Sequence, residues 1–372
     1  MIVSNTSWTV YNFRKELIKS LIASGFQVHV VSYDDGYKSH LIDLGCDFTN
    51  IPIKGSSLNP FNDVALFINL RKVYRKHRPD LLMHFTIKPV IYGSLAASSL
   101  GIPTVNNIAG LGSIFSAFTW KTRLVLWLYK ISQSKVKVTF FQNKEDQELF
   151  QSNKIALKGK SIRIKGSGVN TEYFIPNTKI ESGEFSFMFF GRILWQKGIG
   201  EFEKAAKQLT QKYPKVKFNV LGIVGFDNPS SISQEVVTRW EKEKVINFLG
   251  RVDDVLPTLQ NTDCVVLPSY YREGVPRSLI EAASAGIPII TTDHVGCRDI
   301  VKDSYNGFLV EKQSVEDLVV KMDAMLNLNY SERVKMGLNG RDLVLKEFDV
   351  NAISKIYIDE ISEVLSKQRV QN

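Results

Sequence analysis

Two glutamates, Glu273 and Glu281, bracket the run Gly274, Val275, Pro276, Arg277 and Ser278. An apolar run, 264–267, precedes them and another, 287–290, follows. Both are short and β-rich, which predicts buried parallel strands. Pro276 suits the first position of a helix, and Gly286 with Pro288 suits its end. The unit is strand, loop, helix, strand. It sets Glu273 in the loop at a strand's carboxyl end and Glu281 on the helix, with a rise of ~7.5 Å from Pro276 to Glu281. Two carboxylates flanking a helix N-terminus, which attracts anions, suit a ligand with hydroxyls at both ends and phosphate in the middle. A nucleotide sugar has that form. The competing reading is a weak i,i+4 surface pair of Arg277 with Glu281, Glu273 being a solvated loop charge.

A second cluster lies at 191–198. This run, Gly-Arg-Ile-Leu-Trp-Gln-Lys-Gly, follows an apolar stretch and opens a helix. Arg192 and Lys197 can both reach a diphosphate and neutralise it as a leaving group departs. Read alone, the run is equally a basic loop with a helix cap. The paired acids Asp34–Asp35 and Asp253–Asp254 precede helical patterns and read as caps. No metal-ligand spacing stands out, and two cations with a helix dipole can take the place of a divalent ion. No cofactor and no metal are expected.

These side chains need a frame, and 372 residues supply enough for two domains. Apolar content of 44% and charged content of 23% are those of a globular protein. Cys46, Cys264 and Cys297 are scattered and are expected to be free thiols in a reducing compartment. No signal peptide pattern and no apolar run long enough to span a membrane are visible. The net charge of +9 favours an anionic partner: nucleic acid, a membrane surface or a phosphorylated ligand.

Along the chain, strand patterns alternate with helix patterns. Residues 2–4 read as the end of a strand, either very short or with its start cut, and 5–10 as a polar loop carrying Trp8. Helices follow at 11–24, 37–44, 61–77 and 90–100, and strands at 28–32, 48–53, 81–85, 103–107, 136–142 and 162–165. The stretch 170–183, with Pro176 and few apolar residues, reads as a linker. A second series begins at 185–190. Its helices fall at 200–213, 233–242, 254–260 and 315–326, and its strands at 216–221, 245–249, 264–267, 287–290 and 307–310. The expected fold is α/β: two Rossmann-like, doubly wound domains, 1–168 and 169–372, facing across a cleft, with the final helix free to pack back on the first.

The chain resembles a family-4 glycosyltransferase of the GT-B fold. The resemblance rests on 166–174 (Gly-Ser-Gly-Val-Asn-Thr-Glu-Tyr-Phe), 191–198, 248–250, the two glutamates of 273–281, and the closing motifs 286–293, 296–299 and 306–310. It covers nearly the whole chain. It implies that Arg192 and Lys197 bind the donor diphosphate and that Glu281 holds the ribose hydroxyls. Glu273, with Gly274 and Val275, would hold the donor sugar, and Gly250, Arg251 and Val252 would flank the base. Arg277 and Ser278 stand in the donor loop. It further implies retention of anomeric configuration without a metal. The Val-Pro-Arg-Ser version is similar to a subgroup that builds bacterial surface polysaccharides, O-antigen or capsule, on a polyprenyl diphosphate carrier.

Two departures stand out. Pro276 removes a backbone donor from the sugar loop, and Arg277 either replaces it, meets the acceptor, or only pairs with Glu281. Many relatives carry a histidine after the strand at 103–107, where the run 106–112 of this chain has none. His84 ends the preceding strand and is either a sugar or acceptor contact or a structural residue. Asn107 and Trp8 are the other acceptor-side candidates. The run 111–127 mixes Ile114, Phe115, Phe118, Trp120, Leu124, Leu126 and Trp127 with Lys121 and Arg123. With the basic stretch 71–78 it suits a membrane interface, or else a helix with a buried face.

The expectation is a cytoplasmic glycosyltransferase, peripheral on the inner membrane. It would move an N-acetylhexosamine or hexose from a UDP-sugar donor to a polyprenyl-diphosphate-linked saccharide. No nucleic-acid partner is expected. The alternatives are a nucleotide-sugar epimerase or hydrolase of the same fold, and a basic non-enzymatic protein binding nucleic acid or membrane.

Overall fold

Short apolar runs with few turn residues become parallel strands once both their faces are covered by helices. The computed structural model describes residues 1–53, 59–112, 115, 119–155, 159–177, 184–225, 228 and 230–371. It divides into two compact units, Met1–Gly168 with Val350–Asn372, and Val169–Asp349.

The first unit holds β1 (Ile2–Thr6), β2 (His29–Tyr33), β3 (Asp47–Asn50), β4 (Leu82–Phe85), β5 (Thr104–Ile108), β6 (Val138–Phe141) and β7 (Lys160–Arg163). They form one sheet in the order β3-β2-β1-β4-β5-β6-β7. The second unit holds β8 (Ser186–Phe190), β9 (Lys217–Leu221), β10 (Asn247–Gly250), β11 (Cys264–Leu267), β12 (Ile289–Thr292) and β13 (Gly307–Val310), in the order β10-β9-β8-β11-β12-β13. Neighbouring strands pair in parallel in both sheets, with Val3 opposite His84 in one and Val265 opposite Met188 in the other. Both sheets reverse direction beside their first strand. Open sheets of this kind bind ligands at that switch point, outside the strands' carboxyl ends.

Three expectations change. The segment 5–10 is not a loop: Thr6 ends β1 and caps the helix Ser7–Ala23, its hydroxyl accepting from the Thr9 amide at 3.2 Å. A β-branched hydroxyl residue in extended backbone can finish a strand and cap a helix at once. Asp35 serves that same N-terminus, accepting from the Trp8 amide at 2.7 Å, rather than capping the helix that follows it in sequence. The run 170–177 is no free linker, because Phe174 is buried in the second core and its carbonyl accepts from Ser284 Oγ at 2.8 Å; residues 178–183 lie outside the described residues.

The last helix, Val350–Gln371, belongs to the first unit, not the second. Ile353, Tyr357 and Ile361 recur at helical spacing and are buried with Leu17, Ile18 and Phe140. Among the described residues no helix is long and apolar enough to cross a membrane.

Candidate functional site

The switch point of the second sheet lies between β8 and β11, and each strand delivers one of the two charged clusters there. After β8 the chain turns at Gly191, where Arg192 follows, and closes at Gly198. Gly198 has φ +83°, and a Cβ on it would stand 2.2 Å from the Pro268 carbonyl oxygen. The loop can therefore lie against the β11 loop only with glycine here. The two loops are tied by the Tyr270 amide donating to the Gln196 carbonyl at 3.0 Å.

That packing brings Lys197 onto Glu273. Nζ is 2.7 Å from Oε1, and both side chains are buried. Ser269 Oγ donates to the same Oε1 at 3.3 Å. Arg192 lies over the Tyr271 ring, its guanidinium carbon 5.8 Å from the centroid. Behind the carboxylate sits Cys297, whose thiol is pushed up to about 12 by burial, with the negative charge of Glu273 adding to the effect. Gly296 presses on the same loop: a Cβ there would fall 1.7 Å from the Gly274 carbonyl oxygen.

The helix after this loop runs from Arg277 to Ser284, so Pro276 is the N-cap and not the first helical residue, with ψ 121° in the extended region. Its rigid φ serves the cap position, where no amide is needed. Arg277 Nε donates to Glu281 Oε1 at 2.7 Å. Glu281 is buried, and burial raises its carboxyl above the ordinary range despite the opposing pull of Arg277. Val275 and Ser278 are buried beside the loop. A Cβ on Gly191 would lie 3.8 Å from Ser278 Oγ, so the Arg192 loop abuts the helix start.

Gly250 ends β10 with φ +70° and accepts from the Gly222 amide at 2.9 Å. Arg251 is exposed, 3.7 Å from Asp253, and Val252 is half-buried. These three lie on the same carboxyl edge, two strands from β8. The structure thus gathers Arg192, Lys197, Glu273, Gly274, Val275, Arg277, Ser278 and Glu281 around one switch point, with 250–252 at its flank. Ser269, Tyr271, Gly296 and Cys297 also belong to it. Nothing local in the sequence marks the first two, whereas Gly296 and Cys297 fall in the motif 296–299 that carries the resemblance.

The first unit's candidates fare differently. His84 has no exposed surface. Its Nε2 is 2.9 Å from the Tyr74 hydroxyl and its Nδ1 is 3.0 Å from Asn106 Oδ1. The amide oxygen can only accept, so Nδ1 carries the proton and Nε2 accepts from Tyr74. Burial drops the imidazole to about 3, so it stays neutral. A ring with both nitrogens used inside the core is a structural residue, and the contact reading of His84 is corrected. Asn107 is also buried, accepting from the Tyr357 hydroxyl at 2.6 Å. Trp8 sits in the first turn of its helix, half-buried, edge-on to Phe13.

Among the described residues no group of three or more His, Cys, Asp or Glu stands together as a metal site.

The family model described as glycosyl transferases group 1 matches residues 170–343, and that described as glycosyl transferase 4-like matches residues 1–170. An N,N'-diacetylbacillosaminyl-diphospho-undecaprenol alpha-1,3-N-acetylgalactosaminyltransferase of Campylobacter jejuni is 30% identical over 382 residues, covering 98% of each chain. A UDP-Gal:alpha-D-GlcNAc-diphosphoundecaprenol alpha-1,3-galactosyltransferase of Escherichia coli is 24% identical, over 90% of each. Among solved structures, the Anabaena HepE protein in complex with UDP-glucose superposes with a TM-score of 0.79 at 18% identity, over 97% of this chain and 99% of that one. A glycosyltransferase of Rickettsia africae gives 0.76 at 18% identity, over 98% of both. With two parallel-sheet domains, a family model on each half and a 30% identical relative matched almost end to end, the chain belongs to the group 1, family-4 glycosyltransferases of GT-B fold.

Proposed function

We propose that the chain transfers an N-acetylhexosamine or hexose from a UDP-sugar to a saccharide carried on polyprenyl diphosphate, in O-antigen or capsule synthesis. The observation that carries the donor half is the convergence of Arg192, Lys197, Glu273 and Glu281 on the β8–β11 switch point. The acceptor half is supported by the names of the two relatives, both of which act on undecaprenol-diphosphate-linked sugars. Glu273 holds the donor sugar, Glu281 the ribose, and Arg192 and Lys197 the diphosphate. An ammonium carries three donors, so Lys197 can keep Glu273 in place and still serve a phosphoryl oxygen. The bond from the anomeric carbon to the phosphate oxygen breaks with its electron pair on the leaving group. The acceptor oxygen bonds to the anomeric carbon, and its proton passes to the departing phosphate. The cations stabilise that charge where it develops, without a metal and with retention of configuration. The enzyme acts on the cytoplasmic face of the inner membrane.

The test is a panel of UDP-, GDP- and dTDP-sugars with short lipid-diphosphate saccharides, scored by product mass and anomeric NMR. An α-linked product from a UDP-sugar is expected. Release or isomerisation of the donor sugar without acceptor would make the chain a hydrolase or epimerase instead.

A further inference from the structure

The helix Trp120–Ser132 has two apolar faces. One is buried through Val125, Leu126 and Tyr129. The other points to solvent: Trp120 is 70% exposed, Leu124 47%, Trp127 57% and Ile131 41%. Their spacing of three and four residues makes a continuous outward stripe, which a helix needing only one core contact would not carry. A second stripe runs along the helix Pro60–His77, where Phe61 is 85% exposed, Val64 58% and Ile68 44%. Between the two helices lies a groove of about 800 Å³, lined by Val64, Phe67, Leu95, Leu124 and Leu128 with Tyr92 at its side. Contiguous apolar surface of this extent marks an interaction site.

The charges around it are of one sign. Lys121, Arg123 and Lys130 are exposed beside the stripe, and the helix 120–132 contains no acid. Asp63, in the groove, is occupied: Lys88 Nζ lies 2.8 Å from one of its oxygens, and the Tyr92 hydroxyl donates to the other at 2.8 Å. The face therefore offers apolar groups, two exposed indoles and uncompensated cations. A second copy of the chain would set those cations against each other across a two-fold axis. A surface that is hydrocarbon within and negatively charged at its boundary answers all three features.

We propose that the stripes at 120–131 and 61–68, with the groove between them, are the docking face for an anionic phospholipid bilayer. This deepens the reading of a lipid-carried acceptor and rests on it for the partner's identity. Trp120 and Trp127 seat at the headgroup boundary, and Lys121, Arg123 and Lys130 meet lipid phosphates.

The test floats the full chain with vesicles of phosphatidylethanolamine and phosphatidylglycerol, and with neutral phosphatidylcholine vesicles. The wild type should partition at least tenfold more strongly onto the anionic vesicles, and less so as salt rises. The double variant Trp120→Ser/Trp127→Ser should bind them at least tenfold more weakly. Its thermal unfolding and its transfer to a short-chain, water-soluble acceptor should be unchanged, because neither indole supports the core. Lys121→Glu/Arg123→Glu should remove the preference for anionic lipid. Equal flotation of wild type and the tryptophan variant overturns the docking face. So does a wild-type dimer in sedimentation that Trp127→Ser dissolves, which would make the face a contact between copies. Failure of the wild type to bind vesicles, with its transfer to the soluble acceptor intact, sinks only this inference. Vesicle binding without transfer to any acceptor leaves the docking face standing and sinks the proposed reaction.

Discussion

Lys197 Nζ stands 2.7 Å from Glu273 Oε1, a cation from the β8 loop closed on a carboxylate from the β11 loop. The pair is buried, so each charge depends on the other. Lys197→Ala leaves a buried carboxylate uncompensated and is expected to cost about 3–5 kcal/mol in urea unfolding. Lys197→Met/Glu273→Gln should recover most of that loss, since it removes both charges and keeps the volume. Both variants should be inactive. Glu273→Ala should lower transfer by about 10²-fold or more, through lost positioning of the sugar. Near-normal turnover with the fold intact would remove Glu273 from the site.

Arg277 and Glu281 predict a pH effect. Burial raises the Glu281 carboxyl, and Arg277 holds that rise in check. The ionised carboxylate is the better acceptor for ribose hydroxyls, so UDP affinity should fall as pH drops through this raised value. Removing the guanidinium removes the downward pull. Arg277→Ala should therefore move the acid limb of UDP binding to higher pH, as read by calorimetry from the ordinary glutamate value of ~4.3 upward to neutral pH. Loss of affinity by one factor at every pH would instead make Arg277 a direct ligand of the donor.

The buried His84 predicts a loss of stability in acid. Its imidazole is held at about 3, below the ordinary 6.5, so the unfolded chain takes up the proton first. Stability from this residue is complete above pH 6.5 and declines toward pH 3, by at most about 1.4 kcal/mol per pH unit. His84→Gln should be less stable at pH 7, because it disturbs the Tyr74–Asn106 network, yet show a flatter slope between pH 6.5 and about 3, the window set by those two values. Urea midpoints at three pH values decide it; parallel slopes would place the acid sensitivity elsewhere.

Gly296 bears on the donor loop without supplying a side chain. Its φ is +80°, and a Cβ would overlap the Gly274 carbonyl oxygen at 1.7 Å. Gly296→Ala must push the loop carrying Glu273 and Gly274, at a cost of about 1–3 kcal/mol. UDP-sugar affinity should fall at least tenfold while the far-ultraviolet circular dichroism is unchanged. Unaltered affinity would show that the loop has room to give.

Much of this protein was legible residue by residue. The strands Cys264–Leu267 and Gly307–Val310 fall where their apolar runs lie, because a buried parallel strand needs nothing but a short β-rich apolar segment between breakers. The alternation of strand and helix is enough for two doubly wound sheets, and the glycine-bounded basic loop and the paired glutamates mark the two ends of one site. Each of these signals is carried by neighbours in the chain.

What the chain could not disclose locally is which distant group each side chain meets. Asp35 looks like the cap of the next helix and instead serves the first one. His84 looks like a residue at a strand's exposed end and is enclosed by Tyr74 and Asn106. The run 111–127 suits either a membrane interface or a helix with a buried face, and the structure buries Val125 and Leu126 while Trp120, Leu124 and Trp127 lie in solvent. Lys197 looks like a free phosphate ligand and is closed on Glu273. Sequence alone determined most of the elements, the fold class and the list of chemical groups, since periodicity and turn residues act over a few positions. Only the tertiary structure decided their partners, because β8 and β11 are far apart in the chain and become neighbours only through the order of strands in the sheet.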